Sequence, residues 1–441
     1  MTPSSTKVRA RNQGPWTALL ASAASLCFAR NTLAAGTAVG VQSSRATGMA
    51  SSVTAMIDDS SAVYYNPAGI AQGKRVDVLF GDTLIIPRLT FTSATTGNTA
   101  STHGVVPPPH LYATAGLTDD LSVGVGVFSP FGMAVRWPSD WEGRSLATSS
   151  TLATYYLNPT VAYRLGPLRL GAGLQIVRAT LDLKRKIRFG DQEGFSELGG
   201  GSWGYGANAG VQIEAVRQYL SVGLHYRSSV KLDFNGNAHF ENIPPPLAAT
   251  IHDQRVSSSL TQPDSLALGV ASHPIPKLVI EVDLLWFGWS KVSSVAMSFP
   301  DDQTGTLSSS LKKDWKNSVS VCVGGEANVA ESWRVRAGVM YDPSPSPADT
   351  LTPETPDADR LNLALGVGYQ HGSGIHADLG YQLIVLLKTS SSAPQLPGEY
   401  GGWVHILGIT VGYATPSRTA AGRPSLPQME TPPPETARPA P

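Results

Sequence analysis

The strongest constraint on this chain is a period of two sustained over long runs. In "YLSVGLHYR", Leu220, Val222, Leu224 and Tyr226 alternate with Ser221, Gly223, His225 and Arg227. In "KLVIEVDLLWFGWS", Leu278, Ile280, Val282, Leu284 and Trp286 share one face while Glu281 and Asp283 take the other. "SVSVCVGG" sets Val319, Val321 and Val323 against Ser318, Ser320 and Cys322, and "WVHILGITVGYA" sets Leu407, Ile409, Val411 and Tyr413 against Ile406, Gly408, Thr410 and Gly412. Such alternation marks a strand whose two faces meet different surroundings. The runs cover about 9 to 12 residues, longer than the usual globular strand of about 5 to 6 and matched to the roughly 9–11 that a tilted strand needs to cross a bilayer.

No run of 18 or more apolar residues follows the N-terminal region, so transmembrane helices are not expected. A sheet in lipid must satisfy every backbone N–H and C=O internally, which requires closure into a barrel. Only 15% of the residues are charged, the net charge is zero and there are 44 glycines. A large soluble domain usually carries about 25% charge. The neutral balance gives no reason to expect a nucleic-acid partner. A soluble β-sandwich or propeller also alternates, but long strands, low charge and an exported chain without disulfides favour the membrane. The fold expected is all-β, a transmembrane antiparallel β-barrel of about fourteen strands with short turns at one end and long loops at the other. Aromatic residues near strand ends (Trp137, Trp141, Tyr155, Tyr156, Trp286, Trp289, Trp403 and Tyr413) are expected to form interfacial girdles.

Residues 1–34 read as a signal peptide rather than an anchoring helix. Lys7, Arg9 and Arg11 precede the apolar run Trp16–Phe28, and "NTLAAG" supplies small residues for cleavage near Ala34 or Ala35. Cleavage leaves Cys322 as the sole cysteine and excludes an intramolecular disulfide. Strands are expected over 76–415, joined by Pro-, Gly- and Ser-rich connections such as "DPSPSPADTLTPETPDADR". The Pro-rich segment 416–441 has too few large apolar residues to fold and is expected to be a disordered tail.

Sites of chemistry are scarce. The chain has no H-E-x-x-H, P-loop or cysteine cluster, so no enzymatic activity, cofactor or metal is expected. The histidines are scattered, and His371 and His376 flank a "GSG" turn. Two basic clusters are more informative: Lys184, Arg185, Lys186 and Arg188 in "LDLKRKIRFG", and Lys312, Lys313 and Lys316 in "LKKDWKN". They form either a solvated rim, suited to lipopolysaccharide phosphates, or a source of inward cations for the carboxylate of an apolar ligand.

"YYNPAG", Tyr64 to Gly69, gathers turn residues just ahead of the first strand. With its surroundings, "AGTAVGVQSSRATGMASSVTAMIDDSSAVYYNPAGIA", it resembles the N-terminal plug of the FadL family. This family comprises outer-membrane transporters of long-chain fatty acids and other hydrophobic molecules, and includes TodX-like aromatic hydrocarbon channels. "GVGVFSPFGMAVRW" is similar to the family's third strand; "WGYGANAGVQIE", "LHYRSSVKLDFNGN" and "SWRVRAGVMYDPSPSP" follow in the family's order.

The resemblance implies a hatch over 35–75 inside a barrel over 76–415, in a bacterial outer membrane. Asn66, Pro67 and Ala68 would make a rigid turn in the lumen near a kink of the third strand at Ser129, Pro130, Phe131 and Gly132. It implies passive capture of a hydrophobic ligand at an external groove, passage to a lumen pocket, and lateral exit through the kink. Long-chain fatty acids are the first expectation for the ligand. A neutral hydrocarbon, or a receptor barrel that transports nothing, is the alternative. Arg185 aligns with the family's fatty-acid-binding arginine. The register places Leu311 at the partner lysine's position, followed by Lys312 and Lys313, and Phe131 would line the ligand path. The expected partners are the ligand and outer-membrane lipid, with the protein a monomer.

Overall fold

The alternation read above becomes a wall with reversed polarity in the computed structural model, which describes residues 36–302 and 305–415. The leader expected over 1–34 and the tail over 416–441 lie outside these residues. The strand passes are β1 (Val76–Ser93), β2 (Pro109–Gly116), β3 (Leu121–Phe128 and Gly132–Arg136), β4 (Ser149–Leu165), β5 (Leu168–Phe189), β6 (Gln192–Val216) and β7 (Leu220–Arg227 and Val230–Glu241). They continue with β8 (Gln254–Gln262 and Ser265–Ile275), β9 (Leu278–Phe287 and Ser294–Ser298), β10 (Ser309–Lys312 and Ser318–Asn328), β11 (Trp333–Asp342), β12 (Arg360–Gln370), β13 (Ile375–Ser391) and β14 (Gly398–Ala414). Each pairs antiparallel with its neighbours, and β14 returns to β1 from Asp77↔Ala414 to Ser93↔Gly398, closing a barrel of fourteen strands.

Val78, Phe80, Leu268, Val270, Val282, Leu284, Ile409 and Val411 point outward and are exposed. Asp77, Gln212, His225, Glu281, Asp283, Glu326 and Thr410 point inward and are buried. Apolar out and polar in is the arrangement of a barrel bathed in lipid.

Inside the barrel lie helices α1 (Ser44–Thr47) and α2 (Ala62–Tyr65), followed by a 3-10 turn, Pro67–Ile70. Ser43 caps α1 by accepting from the Ala46 N–H at 3.3 Å. Inward glycines let this plug approach the wall backbone. A Cβ on Gly324 would meet the Met49 carbonyl oxygen at 2.7 Å, and one on Gly380 would lie 3.0 Å from the Thr47 Cβ. The glycine-rich composition thus serves close packing of plug on wall.

Five passes are interrupted, and the breaks in β7 to β10 sit side by side. Arg227 lies opposite Ser265, Ser265 opposite Phe287, and Phe287 opposite Ser318. A 3-10 turn, Trp289–Lys291, fills the break in β9 and carries Trp289 into the core. The aromatic girdle read from sequence therefore needs correction. Tyr155, Trp403 and Tyr413 face outward, but Tyr156 and Trp289 are buried inside. Trp137 and Trp141 stack at 4.5 Å in a buried cluster with Phe91, Leu351 and Tyr400. Strand parity and the break at β9 set these directions, rather than nearness to a strand end.

Candidate functional site

The "YYNPAG" stretch ends α2 and opens the 3-10 turn. Asn66 Oδ1 accepts from the Ala68 N–H at 3.2 Å, while its Nδ2 donates to the carbonyls of Thr54 at 2.9 Å and Val211 at 3.1 Å. One buried side chain thus ties the turn to the plug and to β6. Pro67 packs over Gly171 of β5, and Asn66 over Gly210 of β6. The turn therefore rests against β5 and β6, not beside the third-strand kink where the sequence placed it. Tyr64 and Tyr65 both line an internal cavity. The Tyr65 hydroxyl accepts from the Gln42 N–H and donates to the Gly40 carbonyl, each at 2.8 Å, and Tyr64 packs edge-on to Phe128 at 5.2 Å.

Two wall carboxylates hold the plug from the other side. Asp283 Oδ2 accepts from the backbone N–H groups of Val53 and Thr54, both at 3.0 Å, and from the Thr54 hydroxyl at 2.7 Å. Glu281 accepts from Ala55 N–H at 2.5 Å and Met56 N–H at 3.0 Å. Four consecutive plug amides, Val53 to Met56, are therefore satisfied by two neighbouring wall side chains.

An ion network, buried except at the half-exposed Asp58, adds to this clamp. Arg45 reaches Asp58 at 2.6 Å, Asp59 at 3.0 Å and Glu326 at 3.1 Å, and Arg336 joins Glu326 and Asp378, each at 2.6 Å. Desolvation raises the Asp58 carboxyl, but the Arg45 guanidinium, with Arg75 and Arg334 behind it, outweighs this and holds it at about 2.

The third strand breaks at Ser129, Pro130 and Phe131. Before the break β3 pairs with both neighbours; after it, Gly132–Arg136 pairs only with β4. Pro130 has no N–H to give a ladder, and β2 pairs with β3 no further than Leu111↔Val127. The freed edge is taken by the first described residues of the plug. Val39 N–H donates to Pro130 O at 2.8 Å, Gly132 N–H donates to Thr37 O at 3.0 Å, and Ala38 bridges Phe131. Gln42 completes the join, accepting from Ser129 N–H at 3.0 Å and donating to Ser129 O at 2.9 Å. So the segment 37–42, rather than Asn66-Pro67-Ala68, meets the kink.

Beside this join is a cavity of about 470 Å³, lined by Ala38, Tyr64, Phe131, Leu152, Phe287 and Trp315 among others. A smaller cavity of about 100 Å³ adjoins it, sharing Thr37, Met133, Leu152 and Trp315. Arg185, Leu311, Lys313 and Glu354 line the smaller one. Of the residues read from sequence, Phe131 thus lies on the larger cavity and Arg185 and Lys313 on the smaller. Lys313 Nζ donates to the hydroxyls of Thr352 at 2.8 Å and Thr355 at 2.9 Å. Lys312 departs from the expectation: its side chain is 67% exposed, pairs with Asp314 at 2.8 Å and lines neither cavity. The strand ends at Lys312, and Lys313 just beyond it turns inward, so only one of the two lines a cavity.

The sequence reading missed Trp289 and Trp315 as lining residues. Phe128, Tyr156, Phe131, Trp289 and Trp315 form a continuous aromatic track, with successive ring centroids 5.2 to 6.4 Å apart.

A closed, lipid-facing barrel with an anchored plug and a wall strand broken beside an internal cavity is a transport barrel. The family model described as outer membrane protein transport protein (OMPP1/FadL/TodX) matches residues 25–414, and the chain belongs to this family. It is 26% identical over 368 residues to the long-chain fatty acid transport protein of Escherichia coli O6:H1, covering 74% of this chain and 81% of that one. Among solved structures it is similar to a Pseudomonas aeruginosa FadL homologue, with a TM-score of 0.78, 18% identity and coverage of 86% of this chain and 99% of that one. It is also similar to the P. putida toluene transporter TodX, with a TM-score of 0.71, 16% identity and coverage of 88% and 100%. The protein is a multi-pass β-barrel of the bacterial outer membrane.

Proposed function

We propose that this protein is a passive channel for hydrophobic molecules, with long-chain fatty acids as its principal ligands and the break in β3 as a lateral exit. The observation that carries the reading is the edge of β3 at its break, met at Pro130 to Gly132 by residues 37–42 of the plug and placed beside the larger cavity. The ligand enters from the external side through the smaller cavity, follows the aromatic track to the larger one and leaves through the wall when the plug segment withdraws. Each buried CH₂ is worth roughly 0.8 kcal/mol, so leaving into lipid avoids the cost of exposing an acyl chain to water. No energy source is needed beyond a concentration gradient. Lipid covers the outer wall, and the protein works as a monomer.

The name of the Escherichia coli relative supports a fatty acid, as does Lys313 on the smaller cavity. A second reading, uptake of neutral aromatic hydrocarbons, is favoured by the aromatic track and by the structural likeness to a toluene transporter. Uptake of labelled oleate and of toluene by cells with and without the protein separates the two. Faster oleate entry supports the first reading, and faster toluene entry alone supports the second. Unchanged uptake of both overturns transport and leaves a structural or receptor barrel.

A further inference from the structure

Three arginines are buried among the described residues: Arg45, Arg227 and Arg336. Arg45 and Arg336 each contact two or more carboxylates. Arg227 has no carboxylate within 4 Å among the described residues, although it is only 3% exposed. Its Nη2 donates to the Tyr64 carbonyl at 2.9 Å, and its guanidinium lies 4.9 Å from the Tyr64 ring and 5.5 Å from the Phe128 ring. Its Nη1 has no hydrogen-bond partner and is shielded from water. His225, two residues earlier on the same face of β7, also leaves Nε2 without a partner, and both residues line the larger cavity.

A guanidinium keeps its charge in proteins. Burying it without a counter-ion is costly, and aromatic faces compensate only in part. The fold retains this charge at one point, at the break in β7, between the plug tyrosine Tyr64 and Phe128, the last residue before the break in β3. What it lacks is an anion, and the cavity beside it is otherwise lined mainly by apolar side chains. The chemistry that completes such a site is a carboxylate on an apolar body.

We infer that Arg227 is an anion receptor in the larger cavity. It takes the carboxylate of an amphipathic ligand after the outer cavity of Lys313 and before the wall exit, and so selects acids over neutral hydrocarbons at the exit itself. This rests on the transport reading and narrows its substrate class. His225 stands ready to complete the contact through Nε2.

The test compares oleate, methyl oleate and toluene for binding to the purified full-length protein in detergent. Oleate and its methyl ester share an acyl chain and differ in head-group charge. Arg227→Gln should weaken oleate binding by about tenfold or more while changing methyl oleate and toluene by less than about twofold, and Arg227→Lys should restore part of the loss. Equal losses for oleate and its ester would reduce Arg227 to a structural tie to Tyr64 and overturn the inference, as would unchanged oleate binding. Lys313→Met leaves Arg227 in place and gives an independent check, because that protein should still prefer oleate to its ester. Loss of the whole preference there assigns charge recognition to Lys313 and also overturns the inference. Wild-type protein that binds none of the three ligands fails the transport reading itself, a result distinct from loss of head-group preference.

Discussion

Ala38 lies directly opposite Phe131, joined by the hydrogen bonds Val39 N–H to Pro130 O and Gly132 N–H to Thr37 O. The plug thereby supplies the strand that β2 does not provide at the broken wall. Among the described residues this is the one β-bridge between plug and wall. The exit route proposed above runs through this seam.

A disulfide across this pair should lock the exit. In the non-hydrogen-bonded antiparallel arrangement, Cα atoms lie about 4.5 Å apart, within the range a disulfide spans. Ala38→Cys with Phe131→Cys should abolish oleate uptake under oxidising conditions and regain the level of Phe131→Cys alone after reduction. Uptake that is indifferent to reductant would argue against exit at this seam.

Arg45 holds three carboxylates, so its removal should free the plug. Arg45→Leu leaves Asp58 and Asp59 without this partner, and Glu326 with Arg336 only. Losing one partner of a buried ion pair typically costs about 3–5 kcal/mol. The expected outcome is faster hydrogen exchange over residues 44–70 and greater permeability to small hydrophilic antibiotics, with the barrel still formed. Native-like exchange in this variant would contradict the anchoring role.

The same network sets an acid limit. Asp58 is held at about 2, against about 3.9 in an unfolded chain. The folded value is the lower one, so the Asp58–Arg45 pair contributes its stability above about pH 4 and loses it as the pH falls through about 2. Asp58 is half-exposed at the barrel mouth, so solvent screens the effect and its size is modest. Channel conductance in planar bilayers should remain at its neutral-pH value at about pH 5 and rise only as the pH approaches about 2. A rise centred near pH 6 would point to other groups.

Gly171 and Gly199 make a matched pair on neighbouring strands. A Cβ on Gly171 would overlap the backbone at Pro67, whereas one on Gly199 meets nothing within 4 Å. Gly171→Ala should displace the plug turn at a cost of about 1–3 kcal/mol, typical of overpacking, while Gly199→Ala stays near neutral. Thermal unfolding of the two variants checks this, and equal melting temperatures would contradict the packing described.

Much of the wall was legible because its signal is local. Alternation at Leu278 to Trp286, or at Leu407 to Tyr413, needs only neighbouring residues to declare which side chains face lipid. Pro130 likewise announces a break through its missing N–H. The aromatic positions were less legible, since Tyr155 and Tyr156 are adjacent yet face opposite sides. Which of them turns inward depends on strand register.

By itself the sequence determined a closed β-barrel with apolar residues outward, an N-terminal segment unlike the wall, and a defect in the third strand. Only the tertiary structure decided what fills the defect and what holds the plug. Asp283 meets Thr54, Glu326 meets Arg45, and Thr37 to Val39 meet the edge of β3. It likewise turned Lys313 inward and Lys312 outward, and left Arg227 buried with no carboxylate paired to it among the described residues. These contacts join residues far apart in the chain, through strand register and barrel closure. No periodicity along one strand encodes which residue of another it will face.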